Sequence, residues 1–531
     1  MKPGPGAEVL RISAGAVALA AILLVPFWNK AFTIDDPTFL AGAAHVLRDP
    51  LHPTAFEMVW TSPYRLRASV AFPNSPVMYW LLTPVILGDG AEWIAHLIQF
   101  LMFACGICAT TSLALRLGLT SRQAGWAALL LAATPAAAAM AGTAMPDIPA
   151  MTFGVLSMER FLAWRDSHRV RDALLVTLFL MLAILSRGHL ILLVAVGACF
   201  GGAGDWPALP AGERSSARPV ILDLWPLFLA PLLAFVFLYA TRDPVSSAGM
   251  YSAPLTFASW HRIAPNLVAL LVNLALALPL TIPWLIERYR EMPWRLLWIF
   301  LPAAAAAYLV RHPAPKWTAG FAILTVLVLA DILIDAWTRR DRHQLFLAAW
   351  LFLPLPVLLY QYLPPKVLVA AAPAAAILVA ARARTGVLVG TVAAGALLAV
   401  LILHADARLA GLWRDGAARF VAPHVRAGER VWFAGSWGFY WYAERAGARP
   451  LSWTPPPPRS GDIVVTSSGA LRREIDVVGK HTVLESWQDA TPGGRVFGGV
   501  PAAGFYNNAV GNLPWSWGSG VLNRFEVWRV E

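Results

Sequence analysis

The sequence predicts an all-α polytopic membrane domain of about 13 transmembrane helices, followed by a small C-terminal soluble domain of α/β or α+β class. Three observations predict this. Of 531 residues, 58% are hydrophobic and only 14% are charged. The apolar residues fall in blocks close to the roughly 20 residues that a bilayer core requires. After His404 the composition turns polar. A soluble domain cannot carry the first two features, because its surface would present large apolar patches. Backbone groups in lipid must bond internally, so the blocks are read as helices.

The blocks run in order over 12–28, 93–115, 123–142, 146–164, 173–185, 189–204, 220–240, 265–286, 292–310, 317–337, 344–362, 367–381 and 386–404. The first follows Lys2 and Arg11 and has no small-residue cleavage site, so it reads as a retained anchor. Ser186-Arg187-Gly188 marks the weakest division, either a span end or an interruption of one helix.

Orientation follows from charge. With the N-terminus inside, the inner connections carry Arg116 and Arg122; Arg165, Arg169 and Arg171; Arg214 and Arg218; Arg288, Arg290 and Arg295; Arg339, Arg340 and Arg342; and Arg382 and Arg384. Every one is basic, as the positive-inside rule requires. The expectation is a bacterial inner (cytoplasmic) membrane protein with a cytoplasmic N-terminus and a periplasmic C-terminal domain. The net charge of +11 is thereby explained without nucleic acid, for which no basic stripe or motif is present. Cys105, Cys108 and Cys199 all lie in apolar blocks and give no disulfide framework. The Cys105/Cys108 spacing reads as small apolar helix residues, since a thiolate in lipid is costly.

The predicted domains are 1–405, a transmembrane unit with a long first outer loop over about 29–92, and 406–531, the soluble unit. In the latter, 430–434, 462–466, 481–486 and 525–530 read as strands, and 439–446 and 470–477 as helices. Trp432, Trp437, Trp441, Trp453, Trp515 and Trp517 make it aromatic-rich. These read as core or interface residues before they read as sugar platforms.

Carboxylates and isolated cations gather on the outer side. Thr33-Ile34-Asp35-Asp36-Pro37 follows the first block directly. Pro37 at a first helical position makes Asp36 an N-cap for a helix over 37–47, lying at the interface on Phe39, Leu40, Ala43, Ala44 and Leu47. Asp35 is left with no structural task, and a spare carboxylate at a membrane mouth is costly unless used. Asp147, in Met145-Pro146-Asp147-Ile148-Pro149, opens a later span on the same side; helix capping is its structural alternative. Arg187 and His189 sit at the weak division, and Lys366 lies in Leu363-Pro364-Pro365-Lys366; snorkelling is the structural alternative for these cations. Arg311, His312 and Lys316 are weaker candidates of the same kind. The carboxylates suit proton abstraction from an acceptor hydroxyl; the cations suit a phosphate or diphosphate. Asp35 and Asp147 also admit a divalent metal ion without specifying one. A lipid-linked phosphosugar would meet both sets of groups at this face, with no nucleotide required.

In these features the sequence resembles the GT-C glycosyltransferases, in the branch that holds protein O-mannosyltransferases and lipid A aminoarabinose transferases. Asp35-Asp36 matches that family's acidic pair after the first span, with Asp for the commoner Asp-Glu. Asp147 stands where the family has an acidic residue in the second outer loop. Phe72-Pro73-Asn74-Ser75-Pro76 before Tyr79 is similar to its Asn-Pro-Pro segment, with Ser75 departing. Leu185-Ser186-Arg187-Gly188 is similar to a segment that usually carries Lys, and Leu363-Pro364-Pro365-Lys366 with Pro373 to a late Arg-Tyr-Leu-Leu-Pro segment. The likeness covers most of residues 10–405. It implies sugar transfer from a polyprenyl-phosphate donor to a lipid, glycan or protein acceptor at the periplasmic face. Asp35 would be the catalytic base or acceptor-orienting acid, with Asp36 and Asp147 assisting. Arg187, His189 and Lys366 would bind the lipid phosphate. Membrane lipids are the implied surroundings. Two other classes compete: a transporter or lipid flippase, whose ionisable groups belong near mid-membrane, and a non-catalytic envelope assembly protein. The spans here are nearly free of mid-block charge and show no repeat.

Overall fold

The computed structural model describes residues 5–59, 64–71, 76–202, 221–245, 259–290, 317–469 and 476–531. Among them, seven helices are long and apolar enough to cross a membrane, or nine if each of two bent pairs counts as one span. The chain is a multi-pass membrane protein with a C-terminal sheet domain. The expected span over 292–310 lies outside the described residues, as do residues 72–75, Arg311, His312 and Lys316.

Several blocks form unbroken helices, among them Pro5–Leu24, Glu92–Arg116, Ile221–Ala240 and Trp317–Arg339. Others break where proline removes a backbone donor. The block expected over 123–142 is Ser121–Ala132 plus Pro135–Ala141, bent by 60°. The block over 265–286 bends by 62° around a turn holding Pro279. The weak division is real: helix Val170–Ser186 ends there, Gly188–Leu192 forms a 3-10 turn, and Leu193–Gly202 resumes the helix. Lys366 is the second residue of another such turn, Pro365–Ala371, ahead of helix Ala372–Arg382.

The helix expected at the membrane interface forms over Asp36–Val46, but it does not lie on lipid. Pro37, Thr38, Phe39, Leu40, Gly42, Ala43 and Val46 are buried. It is packed between helices Val77–Leu81 and Thr83–Leu87 of the first loop and helix Trp437–Arg445 of the C-terminal domain. Protein on both sides replaces the lipid that its apolar face had suggested. Gly42 permits this packing, since a Cβ there would lie 2.4 Å from the Tyr79 ring.

The C-terminal sheet contains β1 (Val431–Ala434), β2 (Arg449–Pro450), β3 (Ile463–Ser467), β4 (His481–Asp489) and β5 (Asn523–Val530). Their order is β2-β1-β3-β5-β4. β1 pairs in parallel with β2 and β3, while β5 is antiparallel to β3 and β4. β1 and β3 are buried at every position, which accounts for the consecutive apolar residues Val431–Ala434 and Ile463–Val465. The helix expected over 470–477 falls largely outside the described residues. Trp432 and Trp437 are buried, whereas Trp453 and Trp517 are exposed.

Helix Thr385–Gly416 runs unbroken through residue 405, and the first strand begins at Val431. Its last turns join the two units. Phe525 of β5 packs on Gly416, where a Cβ would lie 2.2 Å from the ring. One hydrophobic core therefore runs from the span helices, through Trp413 and Phe420, into β1, β3 and β5.

Candidate functional site

The site is built from a turn, a helix start, a helix break and a proline-led segment. The turn is Thr33–Asp36. Ile34 has φ 37°, left-handed backbone that a β-branched residue adopts only under strain of about 1–3 kcal/mol. Surrounding bonds hold it. The Asp36 N–H donates to the Thr33 carbonyl at 2.9 Å, and the Thr33 N–H donates to Asp36 Oδ2 at 2.9 Å.

Asp36 Oδ1 also accepts the Ala144 N–H at 2.8 Å. Asp36 is thus fully enclosed, with both oxygens engaged by backbone. Burial pushes its carboxyl up to about 7, against the opposing pull of Lys30 and the two N–H donors. The residue is not the side-chain N-cap expected, and a substrate cannot reach it. It ties the Thr33–Asp36 turn to the segment that leads into Asp147. Asp35 occupies the N-cap position instead, with no side-chain cap bond.

Asp35 Oδ2 accepts from Lys366 Nζ at 2.9 Å. Asp147 begins helix Asp147–Ser167 and receives Arg187 through two bonds, Nε to Oδ1 at 3.1 Å and Nη2 to Oδ2 at 2.8 Å. The pairs adjoin. Lys366 Nζ lies 3.9 Å from Met145 Sδ, two residues before Asp147, and Asp35 is within electrostatic reach of Arg187. The Met145 carbonyl is itself held by Gln99 Nε2 at 2.6 Å. His189 lies within electrostatic reach of Arg187 and Asp147, and its buried Nε2 has no hydrogen-bond partner among the described residues. The fold therefore gathers Asp35, Asp147, Arg187, His189 and Lys366 into one locality from four separate parts of the chain. Tyr360 adjoins them, within electrostatic reach of Asp35 and Arg187.

Beneath this locality lies a network that sequence reading missed. Lys30 pairs with Asp406, which also accepts from Tyr506 OH at 2.7 Å and Thr33 Oγ1 at 3.2 Å. The Lys30 carbonyl accepts from His96 Nε2 at 3.0 Å. The available signal was that Lys30 and Asp406 each stand just past the end of an apolar block.

The carboxylates do not make a metal site as arranged. Each is bound to a cation, so an added divalent ion would face Lys366 or Arg187 across the same oxygens. No group of three His, Cys, Asp or Glu with metal-binding geometry exists among the described residues. What the groups offer is two carboxylates, each already matched to a cation of the kind that binds phosphate.

No protein-family model matches the chain, and neither does any curated protein. Among solved structures it is similar to the archaeal oligosaccharyltransferase AglB of Archaeoglobus fulgidus, in complex with an inhibitory peptide and a dolichol-phosphate. Identity is 14% and the TM-score 0.49, over 84% of this chain and 64% of that one. It thus spans less than two thirds of that protein's length. It is also similar to ArnT from Cupriavidus metallidurans bound to undecaprenyl phosphate, at 13% identity and TM-score 0.42, over 88% and 94% of the two chains. The mycobacterial arabinofuranosyltransferase AftD matches at 16% identity and TM-score 0.40, over 98% of this chain and 40% of that one.

Proposed function

We propose that the protein is an integral-membrane glycosyltransferase of GT-C kind, which moves a sugar from a polyprenyl phosphate to a lipid, glycan or protein acceptor. The reaction takes place at the outer face of a bacterial inner membrane, with the N-terminus inside and the sheet domain in the periplasm. The observation that carries this reading is the adjoining pairs Asp35–Lys366 and Asp147–Arg187.

The pairs suggest an exchange. A lipid phosphate entering the site competes with the carboxylates for Lys366 and Arg187, and a phosphate monoester or diester is the stronger multidentate partner for a guanidinium. As Lys366 turns to phosphate, Asp35 is released next to the reacting centre. Asp35 then takes the proton of the acceptor hydroxyl while that oxygen bonds to the anomeric carbon. The bond from that carbon to the phosphate oxygen breaks, and its electron pair stays on the phosphate. Lys366 and Arg187 stabilise the charge that develops there, with His189 beside them. Asp147 holds Arg187 in orientation. Asp36 acts at one remove, fixing the turn that aims Asp35. No step is routed through a metal ion.

Asp35→Asn tests this. Loss of a general base lowers transfer by about 10²–10⁴-fold. Envelope glycans analysed by mass spectrometry are expected to match those of a deletion strain, while the variant inserts at wild-type level. Unchanged glycans remove Asp35 from the chemistry. Substrate movement into proteoliposomes without any glycan product would replace this reading with a transporter.

A further inference from the structure

We propose that the C-terminal domain is part of the site's framework: Asn508 is a positioning residue that sets Lys366. This rests on the reading of Lys366 as a ligand of the donor phosphate. The buried side chain of Asn508 spends its amide in two directions. Its Oδ1 accepts the Leu363 N–H at 2.8 Å. Its Nδ2 donates to Asn266 Oδ1 at 2.9 Å. Asn266 in turn donates through Nδ2 to the Leu358 and Tyr360 carbonyls, at 3.0 and 2.8 Å. The Arg262 Nε donates to the Gln361 carbonyl at 3.2 Å. The strand of chain from Leu358 to Leu363 is thus clasped from one side by helix Ile263–Leu276 and its lead-in turn, and from the other by the C-terminal domain.

Leu363 is three residues from Lys366, and the two between are Pro364 and Pro365. Proline fixes φ near −65°, and the residue preceding a proline is kept extended, so this stretch transmits direction as a stiff lever. Pro364 has φ −78° and ψ 163°. Fixing the Leu363 N–H therefore fixes where Lys366 emerges. Two residues before Asn508, the Tyr506 ring lies 5.8 Å from Lys366 Nζ, and its hydroxyl bonds Asp406. The same short segment of the C-terminal domain thus touches both the Lys366 lever and the network beneath Asp35.

The test uses the full chain in nanodiscs and two readouts. In the first, the acylation rate of each lysine by acetic anhydride is followed by mass spectrometry. The other lysines are Lys2, Lys30, Lys316 and Lys480, with Lys480 as internal reference. Lys366 is expected to react several-fold faster in Asn508→Ala than in wild type. Asn508→Asp, which keeps an oxygen for the Leu363 N–H, is expected to react near the wild-type rate. An unchanged rate in Asn508→Ala, or an equal rise in both variants, overturns the assignment.

In the second readout, undecaprenyl phosphate carrying no sugar is the probe. Asn508→Ala is expected to weaken its binding about tenfold, the scale of one lost hydrogen bond, and to cause no further loss in a Lys366→Met background. Losses that add show that Asn508 does not act through Lys366, and overturn the proposal. If Lys366 labelling responds but Lys366→Met binds the probe as tightly as wild type, the positioning stands and the phosphate role of Lys366 fails.

Discussion

Two lysine–aspartate pairs stand close together in this protein and have opposite characters. Lys30–Asp406 is sealed, with side-chain exposures of 0% and 3%; Lys366–Asp35 is partly exposed, with 12% and 15%. Both Asp406 oxygens are engaged, by Lys30, Thr33 and Tyr506. Asp35 has Lys366 alone as its side-chain partner among the described residues. A pair this deeply enclosed is out of a ligand's reach, and breaking it leaves an uncompensated charge. A partly exposed pair, with oxygens and protons in reserve, can change partners. The same two residue types thus serve as a structural bolt in one place and as exchangeable chemistry in the other, and enclosure makes the difference.

The sharpest break of this contrast is Lys30→Met, which strands the Asp406 carboxylate. A stability loss of about 3–5 kcal/mol is expected in thermal or denaturant unfolding of the detergent-solubilised protein. Asp36→Ala comes next. It orphans two buried backbone N–H groups, for about 2–4 kcal/mol in the same assay, and it lowers transfer because Asp35 and Asp147 lose their tie. The loop pair Arg67–Asp243 supplies an intermediate case. Burial alone would raise the Asp243 carboxyl, but bonds from Arg67, the Val245 N–H and Ser69 hold it at about 2, below its usual 3.8. Its contribution, on the order of 2 kcal/mol, is complete above pH 3.8 and fades as pH falls through about 2. Unfolding followed from pH 6 to pH 2 in wild type and Asp243→Asn checks this, and the two curves are expected to converge at the acid end. Tyr506→Phe removes one neutral bond to Asp406, for about 1 kcal/mol. Lys366→Met is expected to cost the least, about 1 kcal/mol or less, while greatly weakening donor binding. A Lys366 variant as unstable as the Lys30 variant would erase the distinction between the pairs.

The members of the partly exposed pairs were legible in the sequence, though not their pairing; the sealed pair was not legible at all. Asp35, Asp147, Arg187 and Lys366 are charges without evident duty at the margins of apolar blocks, a costly placement that draws attention. Lys30 and Asp406 stand just as close to such blocks, but their partnership spans 376 residues and no local pattern announces it. Asp36 departs from the helix-cap expectation for a related reason: local rules point to a cap, whereas its second partner, Ala144, is 108 residues away. The helix Asp36–Val46 showed its apolar face, but its neighbours came from another part of the chain. In the C-terminal domain, β1 and β3 were legible as apolar runs. Asn508 lies in a loop with no periodicity, where residue types carry little positional information. Proline marked the breaks, but the 60° and 62° bends depend on neighbouring helices.

Helix Thr385–Gly416 has one last consequence. Its 32 residues reach about 48 Å, well beyond a hydrocarbon layer of about 30 Å. The sheet domain is therefore mounted on the end of a stiff shaft and keyed to it by Phe525 against Gly416. Rotation of that shaft is shared along its length. One residue added between Thr385 and His404 would turn everything beyond it by about 100°, carrying Asp406 off Lys30 and the sheet off its seat together. The length of this helix is thus a phase setting for the sheet domain and everything it contacts.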